Sequence, residues 1–418
     1  MLRVAILAIG TELTRGELVN TNSPWLSERL IALGFDVLEH RTIDDHLERI
    51  TQSLLDLAAR FDLVFATGGL GPTTDDITAQ AAARALGVPL HSSEAGLENI
   101  RRRFTALGRE MSPSNLKQAD LPEGCDILTN VVGTAPGFAI RFESGARMFF
   151  MPGVPVEMRT IFNEQIESQI APHASRTTHQ IHLRTFGTGE SIIGEKLAGI
   201  EASLPGVTIG YRASFPEVEV KVLARAADAA LAEQLAERGA KIVRERLGTF
   251  VYGDASDTFA GFVGGVLRDR GLRIAVAESC TGGLVGQMIT SVPGSSEYLL
   301  LDAVTYSNAS KIRILGVQED LIRAYGAVSS EVAAAMAEGA MRITGANFAL
   351  SITGIAGPGG GTAEKPVGTV WVGLARQDGL TETRLLKLAG ERDRVRTLAA
   401  YQALQWLADA AVGTRHTP

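Results

Sequence analysis

The sequence predicts an α/β fold in three consecutive parts. These are an N-terminal three-layer α/β/α domain with a mostly parallel sheet (residues 1–171), a small α+β middle domain (172–253) and a C-terminal α/β domain (254–413). Short apolar strands alternate with amphipathic helices from Val4 to Gly69. Near Thr177 this gives way to paired strands and one long helix, and near Asp254 strands resume, now ending in loops of small residues. At 418 residues the chain is also too long for one ordinary core.

In order, VAILAIG (Val4–Gly10) reads as a strand, SPWLSERLIALG as a helix closed by Gly34, and FDVLEHRTI as a second strand. HLERITQSLLDLAARF reads as a second helix and DLVFATGG (Asp62–Gly69) as a third strand. This βαβαβ rhythm implies a parallel sheet covered on both faces, whose ligands bind beyond the carboxyl ends of its strands. Those ends carry GTEL, the Asp44–Asp45 turn and TGGLGPTTDD. In the middle part TTHQIHLRTF, VTIGYR and VEVKVLAR alternate as strands do, with Ser214, Phe215 and Pro216 turning between the last two, before a long Ala/Glu-rich helix. In the third part FAGFVGGVLRDRG is a helix and LRIAVAES a buried strand, and CTGGLVGQMITSV opens the next helix. FALSITGIAGPGGG is a strand running into a glycine-rich loop, VGTVWVGLA and TETRLLKLA are strands, and RDRVRTLAAYQALQWLADAA closes the domain as a helix.

Composition narrows the function classes. A charged fraction of 21% against 45% hydrophobic is that of a globular chain, and a net charge of -7 offers nucleic acid or anionic membrane no general attraction. The basic run Arg101–Arg103 has the spacing of a solvated helix face. Two cysteines, Cys125 and Cys280, lie far apart and outside any CxxC or Cys/His cluster, which fits a reducing cytoplasm and argues against structural zinc. The apolar start MLRVAILAIG runs straight into a turn, so a buried strand is expected there rather than a signal peptide.

The C-terminal part carries the sharper chemistry. AESCTGG sets Ser279 at a strand-to-helix junction, where backbone N–H groups favour a developing oxyanion. A nucleophilic serine needs a base. Of seven histidines only His416 lies beyond residue 182, in the tail, so a Ser-His-Asp arrangement within this part is excluded. Lysine is the next candidate, and Lys311, in TYSNASK five residues after Tyr306, follows an apolar strand that could desolvate it. The plainer alternatives are that Ser279 is a helix N-cap, that Cys280 is the nucleophile or a buried structural thiol, and that Lys311 is a surface residue.

The motifs AESCTGG, VPGSSEY, TYSN-x-x-K, GAVSSEVA, TGIAGPGGGTAEKPVGTVW and GERDRVR occur in this order through Asp254–Ala411. Together they resemble the C-terminal domain of the CinA family, which is similar to stand-alone nicotinamide mononucleotide (NMN) amidases. The resemblance implies hydrolysis of the NMN carboxamide to nicotinic acid mononucleotide and ammonia, without metal. Ser279 would attack, Lys311 would take its proton directly or through Tyr306, and Thr353 would place the nicotinamide or help stabilise the anion. Cys280, Thr281, Gly282, Asn308 and Gly354 would contact substrate. Arg392 and Arg396, one helical turn apart, could hold the nucleotide phosphate, and equally could form an ordinary basic helix surface.

In the N-terminal part TGGLGPTTDD is a glycine-rich turn feeding a helix, where Asp75 and Asp76 could hold a metal or simply favour the helix start. Glu12, Asn20, Asn22 and Asp44 fall on the same sheet edge. GTEL-x-x-G-x-x-x-NTN, TGGLGPTTDD and MPGVPVEM, over Met1–Ala171, resemble the molybdopterin-binding-like domain that begins CinA proteins. The resemblance implies ADP-ribose pyrophosphatase activity dependent on a divalent metal (Mg, Mn or Co). Glu12, Asn22, Asp44, Gly68, Gly69 and Gly71 would face the ligand, and Asp75 and Asp76 would handle metal or diphosphate. Asp75 stands where many molybdenum-cofactor proteins carry arginine, which counts against molybdopterin itself. The resemblance also implies a homodimer in pyridine-nucleotide salvage, its partners being small nucleotides rather than membrane or nucleic acid. The competing class is a non-enzymatic nucleotide- or molybdopterin-binding regulator tied to competence or DNA repair.

Overall fold

The computed structural model describes residues 2–174 and 176–413; His416 lies outside them. Its strands are β1 (Arg3–Ile9), β2 (Asp36–Ile43), β3 (Leu63–Thr67), β4 (Leu90–Ser92), β5 (Asp120–Pro122), β6 (Asp126–Leu128), β7 (Gly137–Arg141) and β8 (Arg147–Met151). They continue with β9 (Thr177–Thr185), β10 (Val207–Ser214), β11 (Glu217–Ala226), β12 (Val251–Asp254), β13 (Ile274–Glu278), β14 (Leu299–Val304), β15 (Phe348–Gly354), β16 (Thr369–Arg376) and β17 (Thr381–Lys387). By contacts the chain forms two compact units, one holding residues 1–180 and the other 239–418, with the intervening residues shared out between them. Among the described residues no helix is long and apolar enough to cross a membrane.

The first unit is built on a six-stranded sheet in the order β2-β1-β3-β8-β7-β6. The pairs β1–β2, β1–β3 and β3–β8 are parallel, and β8–β7 and β7–β6 antiparallel. β1 is buried on both faces, the mark of a central strand under two helical layers. Its odd and even residues go to different cores. Ala5, Leu7 and Ile9 pack with Ile50, Leu54 and Leu57 of the helix Leu47–Arg60, while Val4 and Ile6 pack with Leu26, Leu30 and Phe162. Each large aliphatic side chain buried in this way contributes on the order of 2 kcal/mol. The middle strands form a four-stranded sheet in the order β10-β11-β9-β12.

The second unit holds a five-stranded sheet in the order β14-β13-β15-β16-β17. The pairs β13–β14 and β13–β15 are parallel, and β15–β16 and β16–β17 antiparallel. β13 again divides its residues between faces. Ile274 and Val276 meet Val285, Ile289, Val395 and Leu404 on one side; Ala275 and Ala277 meet Leu315, Val332 and Met336 on the other. Helices Phe259–Asp269, Leu284–Thr290 and Arg392–Val412 cover the first face, and Asn308–Leu315 and Ser330–Thr344 lie over the second. The helix Ser330–Thr344 was not read from the sequence; the Ser329 side chain caps it through Val332 N–H. The fold is α/β, and its two larger sheets are mixed, with their antiparallel strands at one edge.

Candidate active site

In the second unit, β13 is flanked by two parallel neighbours, so its carboxyl end is where such a sheet opens to ligand. Ser279 is the first residue past that end. Ser279 N–H donates to the Ile352 carbonyl at 2.9 Å, and Thr305 N–H donates to the Glu278 carbonyl at 2.7 Å, which ties together the ends of all three strands. The helix begins only at Leu284, behind Gly283 in the left-handed conformation (φ 92°). Ser279 is therefore not its N-cap, and the expected placement at a helix start is corrected by a five-residue turn. The N–H groups of Cys280 and Thr281 within that turn make no hydrogen bond to the described chain.

Lys311, in the helix Asn308–Leu315, reaches across to the turn. Its Nζ donates to Ser279 Oγ at 2.9 Å, to the Thr305 carbonyl at 2.8 Å and to the Tyr306 carbonyl at 3.4 Å. The helix is aimed by a capping box between Ser307 and Ser310, and closes on Gly316 in the left-handed region. Lys311 is 1% exposed and no carboxylate of the described residues pairs with it. Burial lowers its ammonium from 10.5 to about 8, so the neutral amine is accessible near physiological pH. Burial pushes the neighbouring Cys280 thiol the other way, up to about 12, which keeps it protonated and supports the structural reading of that residue.

A pocket of about 280 Å³ opens on this pair, and its walls include Ser279, Cys280, Asn308, Lys311, Thr353 and Gly354 together with Tyr306, Arg392 and the Gly357–Gly360 loop. Gly354 has no room for a side chain, since a Cβ would lie 2.6 Å from Val370 Cγ2. Thr353 Oγ1 donates to the Ala327 carbonyl at 2.8 Å, pinning a neighbouring loop. The Tyr306 phenol differs from expectation. It is 61% exposed and accepts from Arg392 Nη2 at 3.1 Å, with no hydrogen bond to Ser279 or Lys311; only the Tyr306 carbonyl touches the lysine. Arg392 also donates to the Gly357 carbonyl at 2.6 Å and stays at the pocket wall. Arg396 does not join it. Its guanidinium is spent on the Thr281 carbonyl (2.8 Å) and on Asp393 (3.2 Å), outside the pocket lining, as are Thr281 and Gly282. A larger recess in this unit, about 670 Å³ and walled by Phe186, Phe250, Leu386 and Trp406, holds no lysine, histidine or cysteine.

In the first unit a cleft of about 880 Å³ lies past β1, β3 and β8, and Glu12, Asn20, Asn22, Gly68, Gly69, Gly71, Asp75 and Asp76 all line it. Gly68 (φ 104°) passes so close to β1 that a Cβ would lie 2.0 Å from the Ile9 carbonyl oxygen. Asn22 Nδ2 donates to the Gly153 carbonyl at 2.7 Å, and its buried Oδ1 has no hydrogen-bond partner. Asp44 is turned away and pairs with Arg49 at 2.6 Å. Its neighbour Asp45 lines the cleft instead, accepting from Thr11 N–H at 2.7 Å and Thr11 Oγ1 at 3.0 Å. Asp76 accepts from Thr73 N–H at 2.8 Å, and the Thr73 hydroxyl bridges Asp75 and Asp76. Among the described residues no group of three or more His, Cys, Asp or Glu is arranged to hold a metal.

Family profiles match nearly the whole chain in three segments. One described as a probable molybdopterin binding domain matches residues 5–172, one described as the damage-inducible protein CinA KH domain matches 180–253, and one described as the CinA C-terminal domain matches 256–411. A CinA-like protein of Geobacter metallireducens is 43% identical over 408 residues, 97% of this chain and 98% of its own length. A CinA-like protein of Citrifermentans bemidjiense is 42% identical over 417 residues, 100% of this chain and 99% of its own. Among solved structures, the competence/damage inducible protein CihA of Agrobacterium tumefaciens is 38% identical, with a TM-score of 0.36 over 37% of this chain and 93% of its own.

Proposed function

The chain belongs to the CinA family, and from that premise we propose that its C-terminal part hydrolyses the carboxamide of NMN, releasing nicotinic acid mononucleotide and ammonia. The observation that carries the proposal is the buried Lys311 amine 2.9 Å from Ser279 Oγ, lowered by burial to about 8. A serine that merely filled a turn would have no use for a desolvated lysine, and burying an unpaired ammonium is costly.

The chemistry follows from these groups. Neutral Lys311 takes the Ser279 hydroxyl proton as Oγ bonds to the carboxamide carbon. The free N–H groups of Cys280 and Thr281 supply donors for the oxyanion of the tetrahedral intermediate. On its collapse the C–N bond breaks, ammonia leaves with the proton held by Lys311, and the nicotinoyl ester remains on Ser279. Water then attacks that ester with Lys311 again as base, freeing the acid and restoring the hydroxyl. Arg392, at the pocket wall, is the candidate for the nucleotide phosphate; Arg396 instead holds the nucleophile turn through Thr281. Tyr306 acts through its carbonyl on Lys311 and through its phenol on Arg392.

The test is ammonia release from NMN by the purified full chain, beside Ser279→Ala and without added metal. Release by the wild type and none by the variant supports a serine amidase. No release from folded wild type removes the proposal.

The N-terminal cleft supports a second reading, hydrolysis of the diphosphate of ADP-ribose. Its specific observation is the convergence of Glu12, Asp45, Asp75 and Asp76 with the Gly68–Gly71 backbone in one 880 Å³ cleft. Asp75 and Asp76 suit a hard cation such as Mg²⁺, which binds through one or two carboxylates and completes its shell with water and substrate phosphate. Such a cation would neutralise diphosphate charge; the chain itself contributes the glycine backbone and the Thr73-held carboxylates. Loss of pyrophosphatase activity in a folded Asp76→Ala variant is the expected result, and full retention would remove this reading.

A further inference from the structure

Glu278 is a buried acid at the end of an otherwise apolar strand, IAVAE, one residue before the nucleophile. It is 0% exposed, and its two oxygens are used separately. Oε2 accepts from Gly283 N–H at 2.9 Å and Oε1 from Gly286 N–H at 2.8 Å. One carboxylate thus fastens both the far end of the Ser279–Gly283 turn and the first turn of the helix behind it. From the neighbouring strand Asp302 stands opposite Val276, two residues back and so on the same face as Glu278. Its carboxyl presses on Gly286, where a Cβ would lie 1.9 Å from Asp302 Oδ2, and its Oδ1 is buried without a hydrogen-bond partner.

We propose that Glu278 is the positioning residue of the Ser279 turn, and that it does so as one half of a proton-sharing carboxyl pair with Asp302. This rests on the amidase reading for its substrate but not for its geometry. Glu278 must accept from two N–H groups, so the shared proton resides on Asp302. Two charged carboxylates on this face, Glu278 fully buried and Asp302 half-buried, would repel each other. Burial, followed by the Glu278 charge, raises the Asp302 carboxyl to about 7. Among the described residues the charge acting on Asp302 is that of Glu278, and those acting on Cys280 in the turn are Glu278, Lys311 and Arg396; the helix Leu284–Thr290 and β15 carry no ionisable side chain. Held in this way, the turn keeps the Cys280 and Thr281 N–H groups unbonded beside Ser279. Without the clamp Gly283 and Gly286 lose their acceptor and the turn is free to collapse onto its own amides.

Two variants of the full chain test this. Glu278→Gln places an amide N–H₂ against one of the two donors. It is expected to lower kcat for ammonia release from NMN by tenfold or more with KM within twofold, since nothing that binds substrate changes. Asp302→Asn keeps a donor toward Glu278 but cannot ionise. In the wild type the folded-state carboxyl stays protonated above its unfolded value near 4, so the contribution of Asp302 to stability declines as pH rises to about 7 and is level beyond. Scanning calorimetry from pH 4 to 8.5 should therefore show the unfolding midpoint of Asp302→Asn gaining on wild type up to pH 7 and the difference then holding constant. A pH-independent difference between the two, or an unchanged kcat in Glu278→Gln, overturns the proposal. If wild type releases no ammonia while the gain of Asp302→Asn up to pH 7 appears, the carboxyl pair stands and the substrate assignment falls.

Discussion

Replacing Lys311 by arginine is the sharpest test of the proposed chemistry, because it keeps the charge and removes the base. Burial lowers the Lys311 ammonium from 10.5 to about 8. At pH 7 roughly a tenth of the enzyme then carries the neutral amine, against about three molecules in ten thousand for an unperturbed lysine, a gain on the order of 300-fold. Holding that group at about 8 rather than 10.5 costs on the order of 3 kcal/mol of folding free energy. The sign follows from the depressed value: the cost is fully present below pH 8 and is relieved as pH rises from 8 toward 10.5. Activity runs in the same direction, since the base must be neutral. The kcat/KM for ammonia release should climb about tenfold per pH unit below 8 and level off above it. A guanidinium does not deprotonate in this range, so Lys311→Arg should be at least 100-fold slower at pH 8 and show no such climb. Initial rates between pH 6 and 9.5, with circular dichroism to confirm folding, decide it. An arginine variant within tenfold of wild type, or a wild-type profile flat from pH 6.5 to 8.5, would refute the assignment of Lys311 as base.

Three further outcomes are expected. Arg392→Ala should raise KM for NMN by tenfold or more with kcat little changed, measured beside nicotinamide riboside, which lacks the phosphate and should be indifferent to the substitution. Gly286→Ala drives a methyl into the Asp302 carboxyl and should destabilise the fold by roughly 1–3 kcal/mol, read as a lower thermal midpoint. Gly68→Ala combines a positive φ with a backbone clash against Ile9 and should cost at least as much, read in the same way.

Most of the architecture was legible because both sheets put near-continuous apolar strands at their centres, and β1, β3 and β13 stand out as such. The pieces β4 to β7 are three to five residues long, too short for periodicity to register. At the sites the residue types were legible and the directions were not. Asp44 and Asp45 follow β2 side by side, and only the backbone decides that the second turns toward Thr11. Arg392 and Arg396 share a helix face, yet one turn of rise gives them different carbonyls, Gly357 and Thr281. Tyr306 sits in the loop before its helix, so its spacing from Lys311 says nothing about where the phenol points. Glu278 was missed although it had a mark: a lone acid ending a fully buried strand needs a local reason.

The buried thiol beside the nucleophile has a consequence for the conditions under which such an enzyme can work. Oxidation by peroxide proceeds through the thiolate, and Cys280, 6% exposed and held near 12, offers almost none. A hydroxyl nucleophile with an amine base gives peroxide no sulfur to consume. On the proposed chemistry, turnover of a pyridine nucleotide would continue through an oxidative burst that silences enzymes built on a reactive cysteine.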